Sequence, residues 1–183
     1  MKKWTVLSRH WVVENAPYSR VRRDRCQLPD GQEIIYYANE YGDWVNALVL
    51  TKEQRVVLVN QYRHGSETLV KEIPGGMIEA DEPASQAIQR EVLEETGYAS
   101  ETEPIFLGKF YPNPATSNNF VHTFLIIDAE KIAPQRLDAT EEIRVEEVAW
   151  DELGNMIRNG RMPHLFSAAT YFLANDWIIR HPR

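Results

Sequence analysis

The sequence predicts an α+β domain, with helices packed on a mixed sheet, and a small antiparallel β meander ahead of it. Three observations lead there. Apolar runs come in the order strands, helix, strands, helix. Turn residues punctuate the first forty positions at short intervals. One central segment carries both a helical stripe and helix-ending signals.

From Trp4 to about Tyr41 the pattern is strand-like. "WTVLSRHWVV" is followed by the turn-like "ENAP", "YSRVRRDRCQL" by the turn "PDG", and then "QEIIYYANEY". Arg20, Arg22, Arg23 and Arg25 alternate across both faces of the second strand. They read as a solvated edge strand or as a contact for phosphate or a partner. Next, two apolar runs flank "TKEQR", the pattern of a core hairpin. "TLVKEIPGGMIE" reads as a short strand and a Gly-Gly turn leading into a helix.

That helix is "EADEPASQAIQREVLEETG". Asp81 suits the N-cap and Pro83 the first turn, where its missing N–H costs nothing. Gly97 suits the left-handed position that ends a helix. Ala84, Ala87, Ile88 and Val92 recur at helical spacing and mark the buried stripe. Farther on, "IFLGKFYPNPATSNNFVHTFLIIDAEKI" reads as two strands joined by a Pro/Asn loop. "EEIRVEEVAW" reads as a strand, "DELGNMIRNGRM" as a short helix, and "HLFSAATYFLANDWIIRH" as a C-terminal amphipathic helix.

The acids of "REVLEETGY" are not an ordinary solvated face. At about 100° per residue, Glu91 and Glu95 lie roughly 60° and 20° from the direction of Ile88, on the apolar stripe, and Glu94 lies beside Glu91. Like charges at this spacing cost roughly 0.2–0.5 kcal/mol per pair. The helix dipole disfavours them at this end, and partial burial costs more. Arg90 supplies only one compensating charge. A divalent cation held by oxygen ligands resolves the conflict; an acidic helix with surface Glu–Arg pairs is the alternative.

The whole chain narrows the function. Its 183 residues suit one domain or a domain with a small appendage, and 43% hydrophobic residues suffice for a core. Asp plus Glu exceed Lys plus Arg, 27 to 20, which argues against nucleic acid as the main partner. An anionic small substrate stays possible because a metal can reverse the local field. Cys26 is the only cysteine, so an intrachain disulfide and a cysteine zinc site are excluded. The start has no long apolar run and no stretch approaches a membrane span. These features lead to the expectation of a cytoplasmic protein without a membrane partner.

Gly76, Glu82, Arg90, Glu91, Glu94, Glu95 and Gly97 stand at the spacing G-x5-E-x7-R-E-U-x-E-E-x-G-U, with Val92 at the first bulky aliphatic position and Tyr98 at the last. This resembles the box of the Nudix hydrolases. "QYRHGSETLVKEIPGGMIE" resembles the segment before the box in the branch that hydrolyses ADP-ribose and nucleoside diphosphate sugars, and Pro112 fits the proline that follows the box there.

The resemblance implies a Nudix-type α/β/α sandwich with a mixed sheet over 43–183. It also implies a β meander over 1–42 that serves dimerisation and base binding. It implies hydrolysis of the diphosphate to a nucleoside monophosphate and a sugar phosphate. Mg²⁺ or Mn²⁺, two or more ions per site, would be held by Glu91, Glu94, Glu95 and the backbone carbonyl of Gly75. Arg90 and Glu82 would orient the glutamates and brace the loop before the helix, and Arg63 would contact phosphate. Glu141 in "ATEEIRV", with Glu142 second, matches the later catalytic or metal-linked glutamate, as base or as orienter of the attacking water, with a box glutamate such as Glu94 as the alternative base. Tyr18 and Tyr36 would clamp the base, one from each subunit of a homodimer. The loop "NPATSNN" carries Asn118 and Asn119 where this branch usually has an acid. Alternatives are a preference for another nucleoside diphosphate derivative such as GDP-mannose, or a catalytically silent nucleotide-sensing domain.

Overall fold

The computed structural model describes residues 2–16 and 19–182. The chain forms two compact units. One comprises 1–43 with 111–120, the other 44–110 with 121–183.

The first unit is the expected meander. β1 (Thr5–Asn15), β2 (Ser19–Gln27) and β3 (Glu33–Asn39) pair antiparallel in sequence order. β2 is therefore the middle strand and not an edge. Its arginines are used within the sheet. Arg9 grips the buried Asp24 through both carboxylate oxygens, at 2.9 and 3.0 Å, and Arg22 adds a third bond at 3.1 Å. The hydrogen bond from Arg9 holds the Asp24 carboxyl below its ordinary range. Arg22 also pairs with Glu40, Arg25 with Glu33, and Arg20 lies 4.1 Å over the Trp11 ring. The loop 111–120 belongs to this unit: the Asn39 N–H donates to the Thr116 carbonyl at 2.7 Å, and Asn118 Nδ2 donates to Glu40 at 2.9 Å.

The second unit is built on eight strands. β4 (Trp44–Thr51) and β5 (Arg55–Arg63) form the expected hairpin but pair only at Val49↔Val57 and Leu50↔Val56. Beyond that they part. β6 (Thr68–Glu72) pairs with β5, and β7 (Gly75–Met77) pairs with β4. The Gly-Gly segment is thus a strand and not a turn. Gly75 lies so close to β4 that a Cβ would stand 2.2 Å from the Val45 carbonyl oxygen, so only glycine permits the pairing. β8 (Tyr98–Ala99) and β9 (Ile105–Phe110) pair antiparallel with β10 (Val121–Lys131), which runs parallel to β4; β11 (Ile143–Ala149) closes the other edge on β5. The sheet is mixed, as expected.

Alternation along the strands sends side chains to two cores. Val45, Ala47, Val49, Val57, Phe124 and Ile126 pack under α1 (Ala84–Thr96) with Ala87, Ile88 and Val92. Leu48, Leu50, Val56, Leu58 and Leu125 pack under α2 (Trp150–Arg158) and α3 (Leu165–Arg180) with Leu153, Met156 and Tyr171. The result is the α/β/α sandwich. Burial of Ile88 and Val92 contributes roughly 1.5–3 kcal/mol each. That exceeds the penalty of roughly 0.3–1 kcal/mol per carboxylate at a helix C-terminus, so the acidic turn stays helical.

Two helix details differ from expectation. Pro83, not Asp81, occupies the N-cap, and Asp81 is left-handed at φ 62°. The turn 79–82 closes on itself instead, with the Glu82 N–H on the Glu79 carbonyl. α3 is not a clean amphipathic helix. Its buried positions are Ser167, Thr170, Tyr171 and Ala174, while Leu165, Phe172 and Ile179 are exposed.

Gly97 ends α1 as expected, at φ 77°, with its N–H on the Leu93 carbonyl. An added Cβ would also stand 2.0 Å from the Ala133 carbonyl oxygen. Gly97→Ala should therefore cost at least about 2 kcal/mol in urea unfolding, the sum of left-handed strain and overlap. A loss under about 0.5 kcal/mol would show that this junction relaxes freely.

Candidate active site

The parting of β4 and β5 opens a cleft of about 940 Å³, walled by β6, β7, the last turns of α1 and the start of α3. Glu91, Glu94 and Glu95 line it together with Arg63, Gly75, Arg90 and Glu141. The acidic stripe of α1 thus faces the cleft and not open solvent.

Arg90 organises this wall. Its Nε and Nη2 grip both oxygens of Glu82 at 3.0 and 2.9 Å. Nη1 reaches Glu91 at 2.9 Å and Glu94 at 3.1 Å, and Nη2 also reaches the Met77 carbonyl at 3.1 Å. A guanidinium has five N–H donors, and each has an acceptor here. The hydrogen bond from Arg90 lowers the Glu82 carboxyl, and Glu82 and its neighbours push the guanidinium still further up. Glu82 also accepts from the Glu79 N–H at 3.2 Å, which ties the loop before α1 to the helix.

Glu95 is 5% exposed, and its carboxylate accepts the Gly75 N–H at 3.0 Å. Burial pushes its carboxyl up to about 8, with the charges of Glu91 and Glu141 adding to the rise. Burial also raises the Glu91 carboxyl, against the pull of Arg90. A Cβ on Gly76 would stand 2.3 Å from the Glu91 carboxyl, so the glycine leaves the space that this side chain occupies. Among the described residues no three acidic, His or Cys side chains gather as a closed ligand cluster; Arg90 Nη1 binds Glu91 and Glu94, and the Gly75 N–H binds Glu95. The donor set is all oxygen, half-buried or buried, and deficient in positive charge. That chemistry fits a hard divalent cation.

Arg63 lies in the same cleft, bonded bidentately to Glu72 at 2.8 and 2.7 Å. Glu72 is 4% exposed and was not foreseen in the sequence; its position before the Gly-Gly segment gave no sign that it would be buried beside an arginine. His164, also unforeseen, lines the cleft from the N-cap of α3. Glu141 is exposed. Its carboxylate accepts the Asp138 N–H at 3.1 Å, yet it is near enough to raise both Glu91 and Glu95.

Tyr36 is half-buried in the first unit. Its hydroxyl donates to the Ala115 carbonyl, and its ring meets Trp4 edge-on at 5.7 Å. Tyr18 lies outside the described residues. No helix among the described residues is long and apolar enough to cross a membrane.

Comparison with known proteins agrees with this geometry. Residues 41–166 match the NUDIX domain, and residues 4–39 match the nucleoside diphosphate sugar hydrolase N-terminal domain. The chain is 28% identical over 134 residues to the ADP-ribose pyrophosphatase of Bacillus subtilis (strain 168), covering 73% of this chain and 72% of that protein. It is 35% identical over 151 residues to putative nudix hydrolase 2 of Caenorhabditis elegans, covering 73% and 67%. The crystal structure of an ADP compounds hydrolase matches its fold with a TM-score of 0.86 over 100% of this chain and 98% of that one, at 18% identity. The chain belongs to the Nudix family and is a hydrolase of the ADP-ribose pyrophosphatase-like kind. Nudix hydrolases generally use divalent metal ions.

The raised Glu95 carboxyl has a definite sign in stability. A carboxyl whose folded pKa lies above its unfolded value favours the fold while protonated and loses that contribution as pH rises. Without metal, wild-type protein should therefore lose stability between about pH 4.5 and about pH 8 relative to Glu95→Gln. The difference should approach roughly 3–5 kcal/mol above that window. Urea unfolding at pH 5 and pH 8.5 in chelator measures it; parallel pH profiles for the two proteins would contradict the burial of a strained charge.

Proposed function

We propose that the protein hydrolyses the diphosphate of ADP-ribose and related nucleoside diphosphate sugars, with Mg²⁺ or Mn²⁺, to a nucleoside monophosphate and a sugar phosphate. The observation that carries this reading is the cleft wall of Glu91, Glu94 and Glu95 around Arg90, with the Glu95 carboxyl pushed up to about 8 by burial. An anionic diphosphate has no reason to enter such a wall unless cations come with it.

Glu91, Glu94, Glu95 and the Gly75 carbonyl would hold two or more ions. When bound, these neutralise the diphosphate and make a water more acidic. Arg90 sets the glutamate side chains, and Glu82 sets Arg90. Arg63, with two donors on Glu72, offers its remaining N–H groups to phosphate oxygens. The water oxygen bonds to one phosphorus as that phosphorus releases the bridging oxygen. The water proton passes to a carboxylate, for which Glu141 is the assigned base. The other phosphate leaves with the bridging oxygen.

The base is assigned to Tyr18 and Tyr36, one from each subunit of a homodimer. Val13, Ile35 and Tyr37 share one face of the first unit's sheet and are exposed, which supports a covered sheet face. The lone cysteine is in keeping with the cytoplasm. The net charge of −7 favours a small substrate over nucleic acid.

With Mg²⁺ or Mn²⁺, ADP-ribose should yield AMP and ribose 5-phosphate, and turnover should stop with chelator. GDP-mannose in the same panel tests the choice of base and sugar. Glu91→Gln should keep the fold and lose at least about a hundredfold in turnover. Free phosphate or ADP as first product, or undiminished turnover in chelator, would overturn the reading.

A further inference from the structure

The cleft holds a second polar arrangement away from the glutamates of α1. Ser167 is fully buried, and its Oγ accepts the Ile73 N–H at 3.0 Å. The same Oγ lies 2.8 Å from His164 Nδ1. A hydroxyl has one proton to give. The Ser167 hydroxyl is fully buried and, among the described residues, His164 Nδ1 is its one acceptor, so that proton is assigned to Nδ1 and the neutral imidazole carries its own proton on Nε2. Burial favours this neutral form, with Arg63 acting in the same direction and Glu72 against both.

His164 Nε2 stands 3.9 Å from Glu72 Oε2. That is too long for a hydrogen bond, and among the described residues Nε2–H has no other acceptor. A donor and an acceptor at this separation match one oxygen placed about 2.8 Å from each. The oxygen must be able to accept and to donate. Water meets that requirement, and so does an alcohol that displaces it. A phosphate oxygen does not, because it has no proton to give Glu72 and meets a carboxylate instead. The Phe166 ring stands 5.3 Å from the imidazole, edge to face, and presents apolar surface beside the polar pair.

We infer that Glu72, His164 and Phe166 form the subsite for the sugar beyond the diphosphate. One sugar hydroxyl accepts from His164 Nε2–H and donates to Glu72, and the carbon face of the ring lies against Phe166. Ser167 is a positioning residue, which fixes the tautomer. This deepens the proposed function and rests on its substrate class.

The test pairs two substrates with three proteins. ADP-ribose carries the sugar; ADP esterified with methanol on its terminal phosphate keeps the diphosphate and lacks the sugar. His164→Ala should raise KM for ADP-ribose roughly tenfold, with kcat within about threefold, since the contact is remote from the reacting phosphorus. KM for the methyl ester should stay within about twofold of wild type. His164→Gln, which keeps an N–H donor near the Nε2 position, should recover most of the loss on ADP-ribose. An equal rise for both substrates, no rise for either, or no recovery with His164→Gln would overturn the sugar subsite. Wild-type protein that hydrolyses neither substrate would instead overturn the proposed function, and the subsite with it.

Discussion

Arg90 is the one cation among four carboxylates of the box, and all five of its N–H donors have acceptors. A planar fork used to capacity has little freedom to rotate. It joins the loop through Glu82, the strand β7 through the Met77 carbonyl, and the helix through Glu91 and Glu94. It also leaves the cluster short of positive charge. The same contact that orders the acids therefore leaves a place for a further cation. A lysine here has three donors on a mobile stem and could not span these partners.

The sheet supplies the space. β4 and β5 begin as a tight hairpin and then separate, so their open ends carry β6 and β7 on their inner edges. Gly75 is the price of that closeness: the backbone of β7 touches β4, and its N–H turns to Glu95. Gly76 then leaves room for the Glu91 carboxyl. Two adjacent glycines thus serve different ends, one for strand pairing and one for a side chain of the helix. The helix itself is held by Ala87, Ile88 and Val92 on the sheet, which keeps the acidic turn facing the cleft.

Local patterns were legible in the sequence because their physics is local. The spacing of Glu91 and Glu95 against Ile88 placed them on the inward stripe, with Glu94 farther round beside Glu91, and Gly97 marked the helix end. The hairpin around "TKEQR" followed from the two apolar runs that flank it. Features that depend on distant contacts were not legible. The Gly75–Met77 strand exists because β4 is adjacent to it. Asp81 had the chemistry of a cap, but Pro83 took the N-cap position, where its fixed φ and missing N–H fit. The 111–120 loop joins the first sheet through Asn39 and Glu40, more than seventy residues away in sequence. Glu72 and His164 are ninety-two positions apart, and neither looked unusual alone.

Glu82 holds Arg90, and Arg90 holds Glu91 and Glu94. A double-mutant cycle on kcat/KM for ADP-ribose with Arg90→Lys and Glu82→Gln tests this arrangement most directly. Each single change should cost roughly ten- to a hundredfold, the usual range for groups that orient metal-binding side chains. The double variant should then lose little more than Arg90→Lys alone, because Glu82 has nothing left to brace. Losses that multiply in full, or an Arg90→Lys enzyme with wild-type turnover, would contradict the account.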